Sequence, residues 1–563
     1  MTRSFKNILV LLILFSVNAM AQTELNDTTK MVDGMKIYIP GEGRVTVNYG
    51  KKIGDDPLFQ DSSKITTDVK YFFLDKKRIP EFKVKKIKAP KIRMVEPLEK
   101  IRKRFVAFGI NDFKTTPMAE LRYSTLRNRK YNLGFDMRHF SQKQNVGSPI
   151  DAIYGNSTVS IYGKRFLKGN TFYGSADYDN NVFNFHGFDK DQFISYNPKD
   201  LKRNVGRFKL KTGVKSISKD PLLWGYNVGV NYNQLSLDEM SSVEHRVNFD
   251  ANLNKYLDWS KYEWFKGFMK LDYTASYLNS GRPTKEHESF YFKVFPSFEL
   301  QFKEIDFTFG AKAFYQSDIK KLNAMPYLEG DWSFVKDVLH IFGRFQNSYK
   351  RLSYLDYIYE NPFVFEDQDI LNVNIPVDFM GGIKGGFSAK SSFSLGFRYR
   401  NFKSMPIYSN LSSNPTLAFN VETDKVVNRQ GFLEFLHESK KLNVLTKLEY
   451  NLYDVFELDA YNLPAFYGET RLGYKLQDKF VLGTDLFFYG EQLGRVESSD
   501  ENNRQNSIVI DPIFDFNIDF RYNYSQKLGA FIKTNNILNT KHQRWDQYAN
   551  YGFNILIGVD YNF

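Results

Sequence analysis

Apolar and polar residues alternate with a period of two along most of this 563-residue chain, and no other feature limits the fold as strongly. Successive side chains of a β-strand point to opposite faces, so each stretch predicts a strand with one apolar and one polar face. The stretch from Phe514 to Tyr524 alternates in this way. At the C-terminus the apolar face of the last predicted strand consists of Phe553, Ile555, Ile557, Val559, Tyr561 and Phe563.

The length of these stretches separates a membrane barrel from a soluble sandwich. Many run for ten or more residues, whereas soluble strands usually have about five or six. They continue from about Phe105 to Phe563 with no helical period. Long strands that are apolar outside and polar inside are typical of bacterial outer-membrane barrels. The sequence therefore predicts an all-β fold, with a transmembrane antiparallel β-barrel over residues 105–563.

Short and long connections alternate along this region, which gives the direction of each strand. A plain count of extended runs gives 23, an odd number that bacterial barrels do not use. The run 417–422 must then belong to an outer loop or extend a neighbouring strand, and the expected count becomes about 22. The short turns lie at 168–170, 335–337, 388–390, 476–479 and 525–527, and the long loops at 141–155, 186–203, 353–372 and 491–506.

The first residues have the pattern of an export signal. Basic Arg3 and Lys6 precede an apolar core, and Ala19 and Ala21 stand at the spacing that signal peptidase recognises. We expect a signal peptide over residues 1–21 with cleavage before Gln22. An exported chain is expected to reach the outer membrane and its lipid and to have no nucleic-acid partner.

The formal net charge of +13 is concentrated in one segment. Residues 76–104 contain thirteen basic and three acidic residues, with three prolines that favour an extended chain. We therefore expect residues 22–104 to form an extended basic periplasmic leader. It either remains solvated, or it enters the lumen or docks on an acidic partner. The candidate contacts are Lys83, Lys85, Lys86, Lys88, Lys91 and Arg93.

The closing residues resemble the last strand pair of TonB-dependent outer-membrane receptors. The resemblance rests on Asn535 to Lys541, followed by Tyr551 to Phe563, where an Asn-rich stretch precedes a strand that ends in an aromatic residue. A barrel of 22 strands is also what this family implies. The family further implies a long N-terminal plug and a TonB-engaging box, and Gln22 to Arg104 matches neither. We therefore expect a plug-less relative, which counts against TonB engagement.

Sequence motifs for catalysis or for cofactors are missing. The chain has no cysteine, and its seven histidines show no metal-ligand spacing. No phosphate-binding glycine loop and no nucleophile-elbow motif occurs. We expect no enzymatic activity, no metal and no cofactor, and an outer-membrane hydrolase is the weakest hypothesis.

One long predicted loop is rich in aromatic residues beside acidic ones. Such a loop suits external contact with a sugar, a protein or a cation. Equally, it could fold over the mouth of the barrel and be held there by its own aromatics. Its candidate contact residues are Tyr354, Tyr357, Tyr359, Phe363 and Phe365.

Two functions fit these observations. An empty 22-strand barrel would leak, because 16 to 18 strands already leave an aqueous channel. The lumen must then be filled by the leader, by loops or by another protein. Our main hypothesis is a non-enzymatic subunit of an envelope assembly with protein partners. The alternative is a gated channel or receptor for nutrient uptake.

Overall fold

The computed structural model describes residues 102–563 apart from 113–115, 126–127, 188–200, 218–222, 238–241, 258–264, 282–283, 285, 319, 337, 411–417, 478 and 497–505. The predicted cleavage site at Ala19, Ala21 and Gln22 therefore lies outside the described residues. So do the candidate leader contacts Lys83, Lys85, Lys86, Lys88, Lys91 and Arg93, and these predictions remain predictions.

Twenty-two strands form one antiparallel sheet that closes on itself. The first strand pairs with the second and with the last, and the amide of Phe563 donates to the carbonyl of Arg104 at 3.0 Å. The predicted all-β barrel and its strand count are thus confirmed. In chain order the barrel strands are β1 (Arg104–Asn111), β2 (Thr116–Ser124), β3 (Tyr131–Gln144), β4 (Ala152–Phe166), β5 (Asn170–Asn184), β6 (Lys202–Ser216), β7 (Gly225–Leu237), β8 (Ser242–Leu257), β9 (Phe265–Gly281), β10 (Glu286–Phe302), β11 (Ile305–Gln316), β12 (Lys321–Val335), β13 (Leu339–Arg351), β14 (Asn372–Ser388), β15 (Ser391–Asn410), β16 (Phe419–Glu438), β17 (Leu442–Val455), β18 (Phe466–Leu476), β19 (Phe480–Tyr489), β22 (Ile513–Asn523), β23 (Leu528–Asn535) and β26 (Asn554–Asn562).

Shorter elements lie in the connections at one end of the barrel, which we call the outer end because it carries the long loops. They are the helix α1 (Tyr354–Glu360), the hairpin of β20 (Gln492–Val496) with β21 (Asn506–Ile510), and the pair β24 (Gln543–Trp545) with β25 (Tyr548–Ala549).

The two faces of the wall follow the sequence alternation. On β26 the outward Ile557 and Val559 are exposed, whereas the inward Leu556 and Asp560 are buried. Asp560 accepts from Arg521 of β22 at 2.8 Å on the lumen side. Apolar outward and charged inward faces are the arrangement that a lipid-facing barrel wall requires.

The connections also fit the predicted alternation. The predicted short turns all join strands at the inner end, and the long loops join them at the outer end. Residues 419–422 of this run form the outer end of β16, a strand of 20 residues that extends beyond a bulge in its pairing with β15. Of the two alternatives for the run, an outer loop or a strand extension, these described residues form the strand extension.

One local expectation was wrong. The absence of a helical period concealed α1, which begins after Ser353 because Ser353 and Asp356 form a reciprocal capping box. The long loop at 491–506 contains residues of the paired strands β20 and β21, and Gln492 is buried there. No helix among the described residues is long and apolar enough to cross a membrane.

Glycine is required where the last strand meets both of its neighbours. A Cβ atom on Gly558 would lie 2.3 Å from the ring of Phe531 and 2.5 Å from the carbonyl oxygen of Phe108. Gly431 of β16, by contrast, has nothing within 4 Å of the corresponding position. The closing seam of the barrel therefore depends on a close backbone approach at Gly558.

Candidate functional site

The loop 352–371, which we call the mouth loop, projects from the outer ends of β13 and β14 and contains α1. In the capping box the Ser353 amide donates to a carboxylate oxygen of Asp356 at 2.9 Å. Tyr354, Tyr357 and Ile358 form the buried face of the helix. The apolar face of α1 is therefore turned into the protein and away from solvent.

The mouth loop reaches two strands on opposite sides of the ring. The Phe363 ring packs edge-on against that of Phe183 on β5, with centroids 6.0 Å apart. On β16, Phe419 exchanges backbone hydrogen bonds of 2.9 Å with Phe363 and Phe365. β5 and β16 are eleven positions apart in a ring of 22 strands. Since opposite walls of such a ring lie on the order of 40 Å apart and Phe363 contacts both strands, the mouth loop and the outer ends of these strands converge over the lumen.

Several outer segments bury their apolar side chains around the mouth loop and form one cluster, which we call the mouth core. Tyr548, from the loop between β23 and β26, stacks on Phe363 with ring centroids 3.7 Å apart. His186, which follows β5, packs edge-on against both of these rings. The mouth core includes Phe183, Phe185, Val364, Phe419, Trp545 and Tyr548. Residues from opposite walls thus share a single apolar core over the lumen.

Buried charged side chains hold the mouth loop to the wall. Arg203 of β6 is 3% exposed and donates to the carbonyl oxygens of Val364 at 2.6 Å and Pro362 at 3.2 Å. Its guanidinium lies 4.6 Å above the ring of Phe185. Glu244 of β8 accepts from the amide of Tyr354 at 2.8 Å. Since hydrogen bonds from a charged donor are stronger than neutral ones, the contacts of Arg203 should contribute substantially to closure.

Burial in the outer loops also shifts the pKa of two titratable groups. Burial lowers the pKa of His186, although its two ring nitrogens lie 3.1 Å and 3.3 Å from the carbonyl oxygens of Asn184 and Ala549. Burial raises the pKa of Asp546, which accepts from the Asn410 side-chain amide at 3.1 Å. The closed mouth therefore favours the neutral form of both groups.

The five residues predicted to make external contacts differ in their exposure to solvent. Tyr354 and Tyr357 are 2% and 0% exposed, and Phe363 and Phe365 are half-buried against the mouth core. Tyr359 alone is well exposed, at 59%, with the Arg207 guanidinium 5.3 Å from its ring. This is the arrangement of a loop folded over the mouth, the second of the two alternatives. Of the five candidates, Tyr359 is therefore the one whose ring the mouth core does not enclose.

Sequence reasoning missed the residues that receive the loop. Arg203, His186 and Tyr548 stand in polar or short segments without a recognisable motif. The one available signal was Trp545, a tryptophan in the long connection between β23 and β26 that packs in the mouth core.

The described residues contain no group of three or more His, Asp or Glu side chains that could hold a metal ion. The carboxylates at the mouth, such as Glu244 and Asp356, instead accept hydrogen bonds from backbone amides of the mouth loop.

Comparison with solved structures identifies the fold. The siderophore receptor PirA from Acinetobacter baumannii superposes with a TM-score of 0.64 and 10% identity, over 83% of this chain and 81% of that one. The pyoverdine receptor FpvA from Pseudomonas aeruginosa PAO1 gives 0.63 and 11%, over 83% and 79%. The chain has the siderophore-receptor barrel fold. The FrpB iron transporter from Neisseria meningitidis also matches, with a TM-score of 0.62 and 10% identity over 83% and 82% of the two chains.

At these identities the likeness to the receptor barrels is one of fold. No protein-family model matches the sequence, and no curated protein matches it. The expected resemblance to receptor barrels of the TonB-dependent class is confirmed at this level. The matched structures are named as receptors and transporters, not as enzymes.

Proposed function

We propose that the chain is a non-enzymatic outer-membrane receptor barrel that takes up a bulky nutrient, with the mouth loop as its outer gate. The observation that carries this proposal is the position of the mouth loop, which contacts both β5 and β16 over the lumen and buries its aromatics there. A loop so placed blocks the route from outside into the lumen. Passage of a solute then requires the mouth loop to move.

The class of solute is argued from the structural neighbours. Their names specify a siderophore for PirA, pyoverdine for FpvA and iron for FrpB as what those proteins receive or transport. A chain with the same barrel and a closed outer mouth suits a large ferric chelate better than a freely diffusing ion. We therefore propose a ferric chelate as the nutrient.

Assembly into a larger envelope complex was the main sequence-based hypothesis, and it remains a prediction. The structural neighbours favour uptake instead. The basic leader, with its candidate contacts Lys83 to Arg93, is the segment through which a protein partner would bind. Gentle detergent extraction of a tagged protein distinguishes the two functions: a stoichiometric partner in the eluate supports assembly, whereas a lone barrel supports uptake.

Uptake itself is tested in the bacterium that carries the protein. A strain without it should accumulate less radioactive iron from at least one ferric chelate, and the intact chain should restore accumulation. A complementing chain with the Tyr548→Ala substitution, which weakens the mouth core, tests whether iron accumulation depends on closure of the mouth loop. Equal accumulation by the deletion and complemented strains, across a panel of chelates, would contradict the proposal.

A further inference from the structure

Five cationic side chains lie on the lumen face of β10 to β15, roughly midway along the strands. On the same strands, Phe309 of β11, Ile341 of β13 and Phe397 of β15 are exposed on the opposite, outward face. Both faces alternate along each strand, so the charged residues point inward. We call this set the cationic wall: Lys293, Lys312, Arg344, Arg398 and Arg400.

The ion pairing of the cationic wall is incomplete. Arg398 forms a two-pronged bond with Asp378, with both distances 2.8 Å. Lys312 instead donates to the side-chain oxygen of Gln346 at 2.6 Å, and Arg400 to that of Asn428 at 2.9 Å. Within the described part of the chain, Arg398 is the one member of the wall with a carboxylate within 4.0 Å.

Arg344 has hydrogen-bond donors that are not used by the described residues. Its Nη2 lies 4.0 Å from the Met380 sulfur, and its Nε is buried without a hydrogen-bond partner among the described residues. The Glu329 carboxylate, on the adjacent strand, accepts from the Tyr327 hydroxyl. A planar guanidinium with unused donors suits a carboxylate or phosphate, which accepts two parallel hydrogen bonds.

Elsewhere the inner wall neutralises its cations. Arg122 pairs with Asp136 at 2.9 Å, Arg207 with Asp179 at 3.0 Å and Arg521 with Asp560 at 2.8 Å. The excess of positive charge on β10 to β15 is therefore a local feature, not a general property of the lumen. Like charges held together in a partly buried site lower its stability unless an anion binds there.

Aromatic rings flank the unpaired cations. The Lys312 ammonium lies 4.8 Å from the centroid of Tyr327 and 5.4 Å from that of Phe295. These rings fix the ammonium by cation–π contact and limit the space around it. The wall therefore presents a positioned ammonium and a positioned guanidinium to the lumen.

We propose that the cationic wall binds a small oxyanion with two or more negative charges, a polycarboxylate or a phosphate. Lys312 and Arg344 supply the unpaired donors, and Asp378 keeps Arg398 oriented at the edge of the site. This site lies below the mouth loop, along the route that the proposed uptake function requires. The inference rests on the proposed uptake function and specifies a negative charge for the solute or for the carrier that binds it.

The test is calorimetric titration of the full-length protein in detergent with tricarballylate and, separately, with inorganic phosphate. Loss of one charge-assisted contact weakens binding by about tenfold or more. Arg344→Gln and Lys312→Met should each weaken binding of the oxyanion by this factor. Arg344→Lys retains the charge but not the planar fork, so it should weaken binding less. Arg429→Gln is the matched control, because it removes one positive charge from an exposed pair with Asp454.

The barrel fold of each variant is checked by its heat-dependent mobility on a gel. Binding of neither probe to the unaltered protein would overturn the proposal. So would equal affinity of the Arg344→Gln and Arg429→Gln variants. Since binding is measured on purified protein, a protein that binds the oxyanion but imports no chelate would refute the uptake function alone.

Discussion

Replacing Arg203 with methionine should loosen the mouth loop while keeping the apolar stem of the side chain. The change removes two hydrogen bonds to the carbonyls of Pro362 and Val364, and the cation above Phe185. Hydrogen bonds to charged groups contribute about 1.5–3 kcal/mol each, and the released cost of burying the cation offsets part of this sum. We therefore expect closure to weaken by about 3 kcal/mol, which is on the order of a hundredfold in the opening equilibrium.

Opening can be measured by the reactivity of a single cysteine, because the natural chain has none. Val364 is 0% exposed, so a Val364→Cys side chain reacts with a maleimide only when the mouth loop opens. When reclosing is fast, the labelling rate is proportional to the opening equilibrium constant. Arg203→Met should therefore speed labelling on the order of a hundredfold.

Lys209→Met is the matched control, because Lys209 is an inward cation of the same strand, outside the mouth core. It should change the labelling rate by no more than about twofold, as for substitutions away from structural features. Equal labelling rates in the Arg203→Met and Lys209→Met proteins would refute the assignment of Arg203 as a restraint on the loop.

Three further changes test other parts of the structure. Burial lowers the pKa of His186 in the closed mouth, so closure should weaken, and labelling of Val364→Cys should become faster, as the pH falls below about 6.5. His186→Gln should remove this pH dependence of the labelling rate. Tyr548→Ala should destabilise the mouth core by about 3–5 kcal/mol and speed limited proteolysis of the outer loops, whereas Tyr359→Ala, at an exposed position, should not. Gly558→Ala should lower the temperature at which the barrel loses its compact gel mobility, because a Cβ meets backbone and ring atoms there, whereas Gly431→Ala should leave it unchanged.

The wall of the barrel could be predicted because each residue of a lipid-facing strand obeys a local rule. Outward positions must be apolar and inward positions tolerate charge, so the period of two survives in the sequence. Direction along the chain then excluded the run 417–422 as a separate strand, and its residues 419–422 form the outer end of β16. Such predictions need only the pattern of residues that are close together in the sequence.

The candidate site could not be predicted in the same way. The contact of Phe363 with Tyr548 joins segments that are far apart in the chain, and nothing in either segment specifies its partner. The bonds from Arg203 go to backbone carbonyls, which every residue has. The α1 helix is a partial exception, since Ser353 and Asp356 form a capping box that is recognisable in the sequence. The helix has only seven residues, which is too short to show a helical period.

A reversible crosslink across the mouth tests the gating account most directly. Val364 of the mouth loop and Phe419 of β16 are paired in a β-bridge. Bridge partners lie about 5 Å apart, within the range for a disulfide. Cells carrying Val364→Cys with Phe419→Cys should accumulate no ferric chelate when oxidised and should recover accumulation when a reductant is added. Accumulation at the same rate in the oxidised and reduced states would contradict the account.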